Sequence, residues 1–328
     1  MSGSEFGLIQ SYFSIPGQSL LAQQDHPDII QGIGDDCAIL APPADQHLAV
    51  SIDTLISGVH FPEQTSPQAV AHKALAVNLS DLAAMGAEPA WFTLALTLPD
   101  NNRNWLELFS QSLFKLAAEY QIPLIGGDTT SGDLAVTIQI AGYVPPDSAL
   151  KRSGAQAGDI IVLTGALGAA AIGLDIVLEQ NRAHYQCLSE TRKKAARLAL
   201  NYPCPRIKEG RIIRQYGHSA LDISDGLLAD LGHILTASEV GAEVFLEQLP
   251  LSETLACLKL EQKWEKALTG GDDYELCFTL SRDKWQVLKH FHPRFTAIGH
   301  ITESRKLRCL TADGEIFELQ NRGYNHFD

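Results

Sequence analysis

An aspartate set beside glycine or serine recurs along this chain, mostly after apolar runs, and it limits what the chain can fold into. It stands in Gly34-Asp35-Asp36, at Asp53 after Leu48-Ala49-Val50-Ser51-Ile52, and at Asp81 in Asn78-Leu79-Ser80-Asp81. It returns at Asp128 in Gly126-Gly127-Asp128-Thr129 and twice in Asp222-Ile223-Ser224-Asp225-Gly226. A strand that ends in glycine and a carboxylate offers open backbone and a hard oxygen ligand at one sheet edge, where phosphate and Mg²⁺ sites tend to lie. One Asp-Gly alone reads as a surface turn, because both residues tolerate left-handed backbone. Five such motifs in one chain read as a site.

The chain has 328 residues, enough for two domains and a large core. Its 45% hydrophobic and 20% charged residues are ordinary for a globular protein. No run approaches the roughly 20 apolar residues that a spanning helix requires. Met1 to Phe6 carries no basic stretch and no long apolar run, so no signal peptide is expected. The cysteines at 37, 187, 204, 257, 277 and 309 form no Cys-x-x-Cys pair. That argues against a zinc site or a disulfide framework and for a reduced, cytoplasmic setting. A net charge of −14 argues against a nucleic-acid surface. If such an acidic protein binds phosphates through carboxylates, cations must stand between them.

In chain order, a helix capped by Ser4 is followed by an expected loop from Ser14 to Gln31. Cys37 to Ala41 and Leu48 to Asp53 read as a hairpin across Pro42-Pro43-Ala44-Asp45. Ser66-Pro67 starts a helix that Gly86 stops; its second half is apolar all round, which predicts burial. Asn78 and Asp81, three apart, share one of its faces. Strands are predicted at Ala90–Leu98, Ile122–Ile125 (ending at Gly126-Gly127-Asp128) and Leu134–Val144, with an amphipathic helix over Trp105–Tyr120. Pro145-Pro146-Asp147 marks the boundary between expected domains 1–146 and 147–328.

Beyond it, Asp159–Thr164 and Ala220–Ile223 read as strands, with further strands near 275–280, 295–301 and 314–319. Helices are predicted at Leu167–Glu179, Glu190–Leu200, Ile207–Tyr216 and from Ser224-Asp225-Gly226 toward Ser238. The turn opening that last helix is expected to offer unpaired N–H donors to an anion. Strands and helices alternate without a strict βαβ rhythm, so the class is α+β, in two α/β-type domains.

A Walker-type phosphate loop, a kinase-type glycine loop and a calcium-loop spacing are all missing. What the motifs permit is a set of carboxylates gathering Mg²⁺ ions around phosphate oxygens. Such a site suits phosphoryl transfer onto another phosphate. An acceptor monoester, with a second pKa near 6, is mostly deprotonated at neutral pH and needs no general base.

Ile33-Gly34-Asp35-Asp36-Cys37-Ala38, Gly58-Val59-His60-Phe61, the string Asn78 to Ala87, Gly126-Gly127-Asp128-Thr129-Thr130, Asp222 to Leu227 and the tail Gly323-Tyr324 together resemble the bacterial thiamine-monophosphate kinase family. That family lies within the aminoimidazole-ribonucleotide-synthetase superfamily. The resemblance runs from Glu5 to Phe327. It implies a homodimer formed through the N-terminal domain, ATP as co-substrate in the cleft between the domains, several Mg²⁺ ions, and thiamine monophosphate as acceptor.

By motif it implies Asp36, Ser51, Asp53, Asp81, Asp128, Asp222 and Asp225 as metal ligands. Gly127, Asp128, Arg152 and Ser224 would contact ATP, and His60, Asp272 and Tyr324 the thiamine phosphate. No residue is implied as a general base, and neither nucleic acid nor membrane as a partner. Two positions depart from the family pattern. Ile52 stands where threonine is usual, removing a side-chain oxygen expected near the metals, and Asp272 stands for glutamate. The competing readings are a selenophosphate or aminoimidazole-ribonucleotide synthetase, and a non-catalytic nucleotide-binding protein.

Overall fold

Residues 5–23, 26–180 and 185–318 are described by the computed structural model. The chain divides into two compact units, Met1–Leu82 with Ala87–Asp147, and Ala83–Gly86 with Ser148–Asp328. Among the described residues no helix is long and apolar enough to cross a membrane. The class is α+β, as expected.

The first unit begins with helix α1 (Glu5–Ile9), a π turn over Gln10–Ser14, helix α2 (Ile15–Gln23) and two short strands, β1 (Ile29–Gln31) and β2 (Ile39–Leu40). Half of the expected loop over 14–31 is therefore helix, Ile15–Gln23. Of its apolar residues Leu20 is buried and Leu21 half-buried, while Ile15 stays exposed. The hairpin expected between Cys37–Ala41 and Leu48–Asp53 does not form. Instead β2 pairs antiparallel with β1.

Strand β3 (His47–Ile56) belongs to another sheet, which also holds β4 (Glu88–Leu98), β5 (Leu124–Ser131) and β6 (Ala135–Val144) in the order β3-β6-β4-β5. Between them run helices α3 (Pro67–Met85) and α4 (Arg103–Glu119). Ser66 Oγ accepts from the Ala69 N–H at 3.4 Å, and Asn102 caps α4 by accepting from Trp105 N–H at 3.1 Å. Helix α3 is buried almost throughout, as its all-round apolar sequence predicts.

Two acidic motifs expected at strand ends lie within strands. Asp53 sits mid-strand opposite Ile138, and Gly126-Gly127-Asp128 continues β5 to Ser131 in parallel register with β4. A Cβ on Gly127 would stand 2.0 Å from the Leu94 carbonyl oxygen, so the glycine is what lets β5 lie this close to β4.

The second unit contains β7 (Ile160–Leu163), α5 (Ala169–Val177), α6 (Glu190–Asn201), α7 (Ile207–Ile213), β8 (Ser219–Asp222) and α8 (Leu227–Ser238). After these come β9 (Gly241–Phe245), α9 (Leu260–Thr269), β10 (Leu276–Leu280), α10 (Arg282–Phe291), β11 (Thr296–Thr302) and β12 (Leu307–Leu310). Six strands form one sheet in the order β12-β9-β11-β7-β10-β8, antiparallel except for β12 against β9. The strand expected at 314–319 is only an isolated bridge, Leu310 to Ile316, because Asp313-Gly314 makes a turn there. Beneath the sheet, Leu227, Leu231, Ile234 and Leu235 of α8 pack with Leu221, Val244, Trp264 and Leu268.

Cys187 and Cys257 lie side by side, with Cα atoms 6.0 Å apart. The sequence carries no signal for that pair, since 70 residues separate its members.

Helices α5 and α6 touch at backbone distance. A Cβ on Gly173 would stand 2.3 Å from the Ala196 carbonyl oxygen, beside a cluster of Ile172, Tyr185, Leu188, Leu255 and Leu258. Gly173→Ala is expected to destabilise the protein by about 1–3 kcal/mol through overpacking. Calorimetry should show a Tm lower by several degrees.

Candidate active site

The candidate residues of the first unit fall into three groups. Ser51 and Asp53 lie on the same face of β3, and Asp81 reaches them from α3. The Ser51 hydroxyl donates a short hydrogen bond to Asp81 Oδ2. Withdrawal from water raises the Asp53 carboxyl above the usual range, and the neighbouring Asp81 charge and hydrogen bond push it the same way. Two carboxylates and a hydroxyl in one half-buried spot have the electrostatics of a place that takes a cation, whose charge would reverse both effects. Among the described residues, no three His, Cys, Asp or Glu side chains converge as a ready-made cage. Asn78, on the same helix, is fully buried; its amide donates to the Ala74 carbonyl at 3.0 Å, and its Oδ1 meets no donor.

Ile52 corrects an expectation. Strand alternation turns its side chain to the opposite face from Ser51 and Asp53, where it is 61% exposed. A threonine hydroxyl at 52 would therefore not join the Ser51–Asp53–Asp81 group.

The second group surrounds a pocket of about 690 Å³. Asp35, Asp36, Gly126, Gly127 and Asp128 line one part; Ile9, Phe13, Ile33 and Leu124 line another. Asp35 accepts from the Asp36 N–H and the Gln31 amide, both at 2.9 Å, which hold its carboxyl below the ordinary range. Carboxylate and glycine backbone beside an apolar wall suit a ligand with a charged end and a flat apolar end.

The third is His60, in a tight turn after β3. Its Nδ1 accepts from the Ile56 N–H at 3.0 Å, so the neutral ring carries its proton on Nε2. The buried ammonium of Lys73 donates to the His60 carbonyl at 3.3 Å. Lys73 is not identified from sequence, where it reads as one more polar residue on α3.

In the second unit, Asp222, Ser224, Asp225 and Asp272 are brought together. Asp222 ends β8, and Ser224-Asp225-Gly226 forms the turn into α8. The segment 270–274 lies against that turn: the Asp272 N–H donates to the Ser224 carbonyl and the Tyr274 N–H to the Ile223 carbonyl, each at 2.8 Å. A Cβ on Gly271 would meet the Ser224 carbonyl oxygen at 2.4 Å, so only glycine permits this contact. Asp272 has φ +67°, a left-handed conformation that aspartate tolerates better than glutamate.

The N–H donors of the turn that opens α8 are not unpaired, contrary to expectation. Asp230, one turn into the helix, accepts on Oδ2 from Ser224 and Asp225 N–H at 3.0 Å and from Gly226 N–H at 3.2 Å. Burial pushes the Asp230 carboxyl up to about 6 despite those bonds. At the other end of α8, Ser238 Oγ accepts from Gly154 and Ala155 N–H at 3.1 Å and donates to the Arg152 carbonyl at 3.3 Å. The Arg152 residue itself is exposed. Asp230 carries one available sequence signal, an acidic residue in a helix's first turn. Tyr324 lies outside the described residues.

Two family models match: the AIR synthase related protein N-terminal domain over residues 34–144 and its C-terminal domain over 156–310. The thiamine-monophosphate kinase of Escherichia coli (strain K12) is 48% identical, covering 100% of this chain and 99% of its own. The chain belongs to the thiamine-monophosphate kinase family. A crystal structure of thiamine-monophosphate kinase from Stenotrophomonas maltophilia K279a is 43% identical, with a TM-score of 0.84 over 96% of this chain and 98% of that one. A second solved family member, AaThiL complexed with AMPPCP and TMP, is 29% identical with a TM-score of 0.76, covering 99% and 97%.

Asp273 supplies a pH test that is independent of the ligands. Its carboxylate accepts from Gly168 N–H at 2.7 Å and Ala170 N–H at 3.5 Å at the start of α5. Removal from water pushes it up to about 7 from an ordinary 3.8. The folded state thus holds a proton that the unfolded state has released, so stability declines as pH rises through that window. Asp273→Asn keeps an acceptor without the charge. Urea unfolding of the variant should lose less stability between pH 5 and pH 8 than the wild type does.

Proposed function

We propose that this chain transfers the γ-phosphate of ATP to thiamine monophosphate, giving thiamine diphosphate and ADP in thiamine diphosphate biosynthesis. The observation that carries the reading is the Ser51–Asp53–Asp81 group, found in a chain that matches a kinase family along nearly its relatives' whole length. An acidic protein acting on two anionic substrates needs a cation at such a place. The AaThiL complex with AMPPCP and TMP supports the pair of substrates.

Asp36, Ser51, Asp53, Asp81, Asp128, Asp222 and Asp225 would hold Mg²⁺. Bound there, the ions offset phosphate–phosphate repulsion of about 4 kcal/mol per pair of unit charges at ~4 Å and an effective dielectric near ~20. Gly127 and Asp128 beside the apolar pocket, with Ser224 and Arg152, would bind ATP. Arg152 suits a phosphate because its guanidinium forks onto two oxygens. His60, offering Nε2–H, with Asp272 and Tyr324, would bind the thiamine phosphate. A phosphate oxygen of the acceptor attacks the γ-phosphorus, the bond to the bridging oxygen breaks, and ADP departs with that oxygen's electrons. No side chain need remove a proton, since the acceptor oxygen is already ionised at neutral pH.

The N-terminal domain, 1–146, would serve ATP, Mg²⁺ and dimerisation, and 147–328 would supply the rest of the site. A dimer partner is the natural cover for the edge strand β3, whose Leu48, Val50, Ile52 and Ile56 form one exposed apolar stripe. The reaction would run in the cytoplasm.

Purified protein with ATP, Mg²⁺ and thiamine monophosphate should yield thiamine diphosphate and ADP together, and nothing with free thiamine. Asp81→Ala should lower kcat by about a hundredfold or more while leaving the circular dichroism unchanged. ATP bound but unconsumed by the wild type would favour a binding protein instead. Separately, Val50→Glu should convert the dimer to monomers in sedimentation; an unchanged dimer would exclude β3 as the interface.

A further inference from the structure

A turn at a helix N-terminus that exposes three consecutive N–H groups is a ready anion site. In this chain the turn Ser224-Asp225-Gly226 is already filled by the protein's own carboxylate. Asp230 is 4% exposed, and its Oδ2 takes all three N–H bonds. Phosphate therefore has no vacant N–H at Ser224, Asp225 or Gly226, and within that turn the Ser224 and Asp225 side chains are what can meet it.

We propose that Asp230 is the positioning residue of the site, holding the Ser224–Gly226 turn so that the Asp225 carboxylate and Ser224 hydroxyl face Mg·ATP. Three features carry this assignment. The contact is charge-assisted and converges on one oxygen, which fixes three successive peptide planes. The other side of the turn is braced by backbone, through Asp272 N–H to the Ser224 carbonyl and the close pass of Gly271. Gly226, at φ +113° and with a would-be Cβ 2.8 Å from the Thr269 carbonyl carbon, leaves the turn no room to shift toward α9. Without Asp230, one buried and two part-buried donors would lose their acceptor while the turn stays confined, and its two ligand side chains would lose their aim.

The inference rests on the kinase reading for its consequence but not for its geometry, and two readouts separate them. In Asp230→Asn and Asp230→Ala, without substrates, the amides of Ser224, Asp225 and Gly226 should exchange hydrogen at least about tenfold faster than in wild type. In turnover, KM for Mg·ATP should rise about tenfold or more in Asp230→Ala and less in Asp230→Asn, which keeps a neutral acceptor. KM for thiamine monophosphate should change by less than about twofold.

Unchanged exchange and unchanged Mg·ATP affinity would overturn the proposal. So would equal falls in active fraction and Tm with KM values intact, since that marks a scaffold role only. If Asp230→Ala does not fold, Asp230→Asn decides. If the wild type binds Mg·ATP but does not turn over, the kinase reading fails, while exchange and calorimetric Mg·ATP binding still decide the role of Asp230.

Discussion

A carboxylate that leaves water must be met by a donor, a proton or a cation, and much of this structure follows from that rule. The chain uses each answer in a different place. Glu275 receives a guanidinium, with Arg206 reaching both its oxygens and Thr164 donating at 2.6 Å. Asp273 and Asp230 receive backbone N–H groups at helix starts. Asp53 and Asp81 receive each other and the Ser51 hydroxyl, which leaves a cation as the fitting partner. The structural aspartates and the candidate ligands thus differ in what meets them more than in how deeply they lie.

That distinction explains what could be read in the sequence. Helix α3 was legible because Ser66-Pro67 marks its start and its apolar residues cover every side. The aspartates at 53, 81, 128, 222 and 225 were legible as a set because glycine or serine stands beside most of them. Asp230 was not, since an acidic residue in a first helical turn is common and its three donors are visible only once the turn is folded. The ends of strands were misjudged where glycine signals opposite things. Gly126-Gly127 reads as a stop, yet Gly127 continues β5 because the Leu94 carbonyl leaves no room for a side chain. The hairpin after Cys37 was misassigned for a related reason: turn residues at 42–45 show that the chain reverses, not which strand it then joins. Helices α9 and α10 went unassigned although Ser281 caps the latter, accepting from Lys284 N–H at 3.4 Å.

Helix α8 links two candidate ATP-contact loops through side chains of its own. Asp230 near its start gathers the Ser224 turn and Ser238 at its end gathers the loop of Arg152. Eight residues of helix, about 12 Å, separate the two clasps. One helix buried along Leu227, Leu231 and Ile234 therefore sets the spacing of two loop segments, so that core packing fixes how far apart they stand.

The strand order of the first unit also bears on how the protein is made. Thr54 and Thr137, hydrogen-bonded at 2.8 Å across β3 and β6, stand 83 residues apart in the chain. During synthesis β3 leaves the ribosome long before its sheet neighbour β6 exists, with an apolar row along one side and an unsatisfied backbone edge. Closing so long a loop is entropically slow, and the nascent chain must pass that interval without pairing to another copy of itself. The strand that carries Ser51 and Asp53 is thus also the segment most in need of protection before the domain closes.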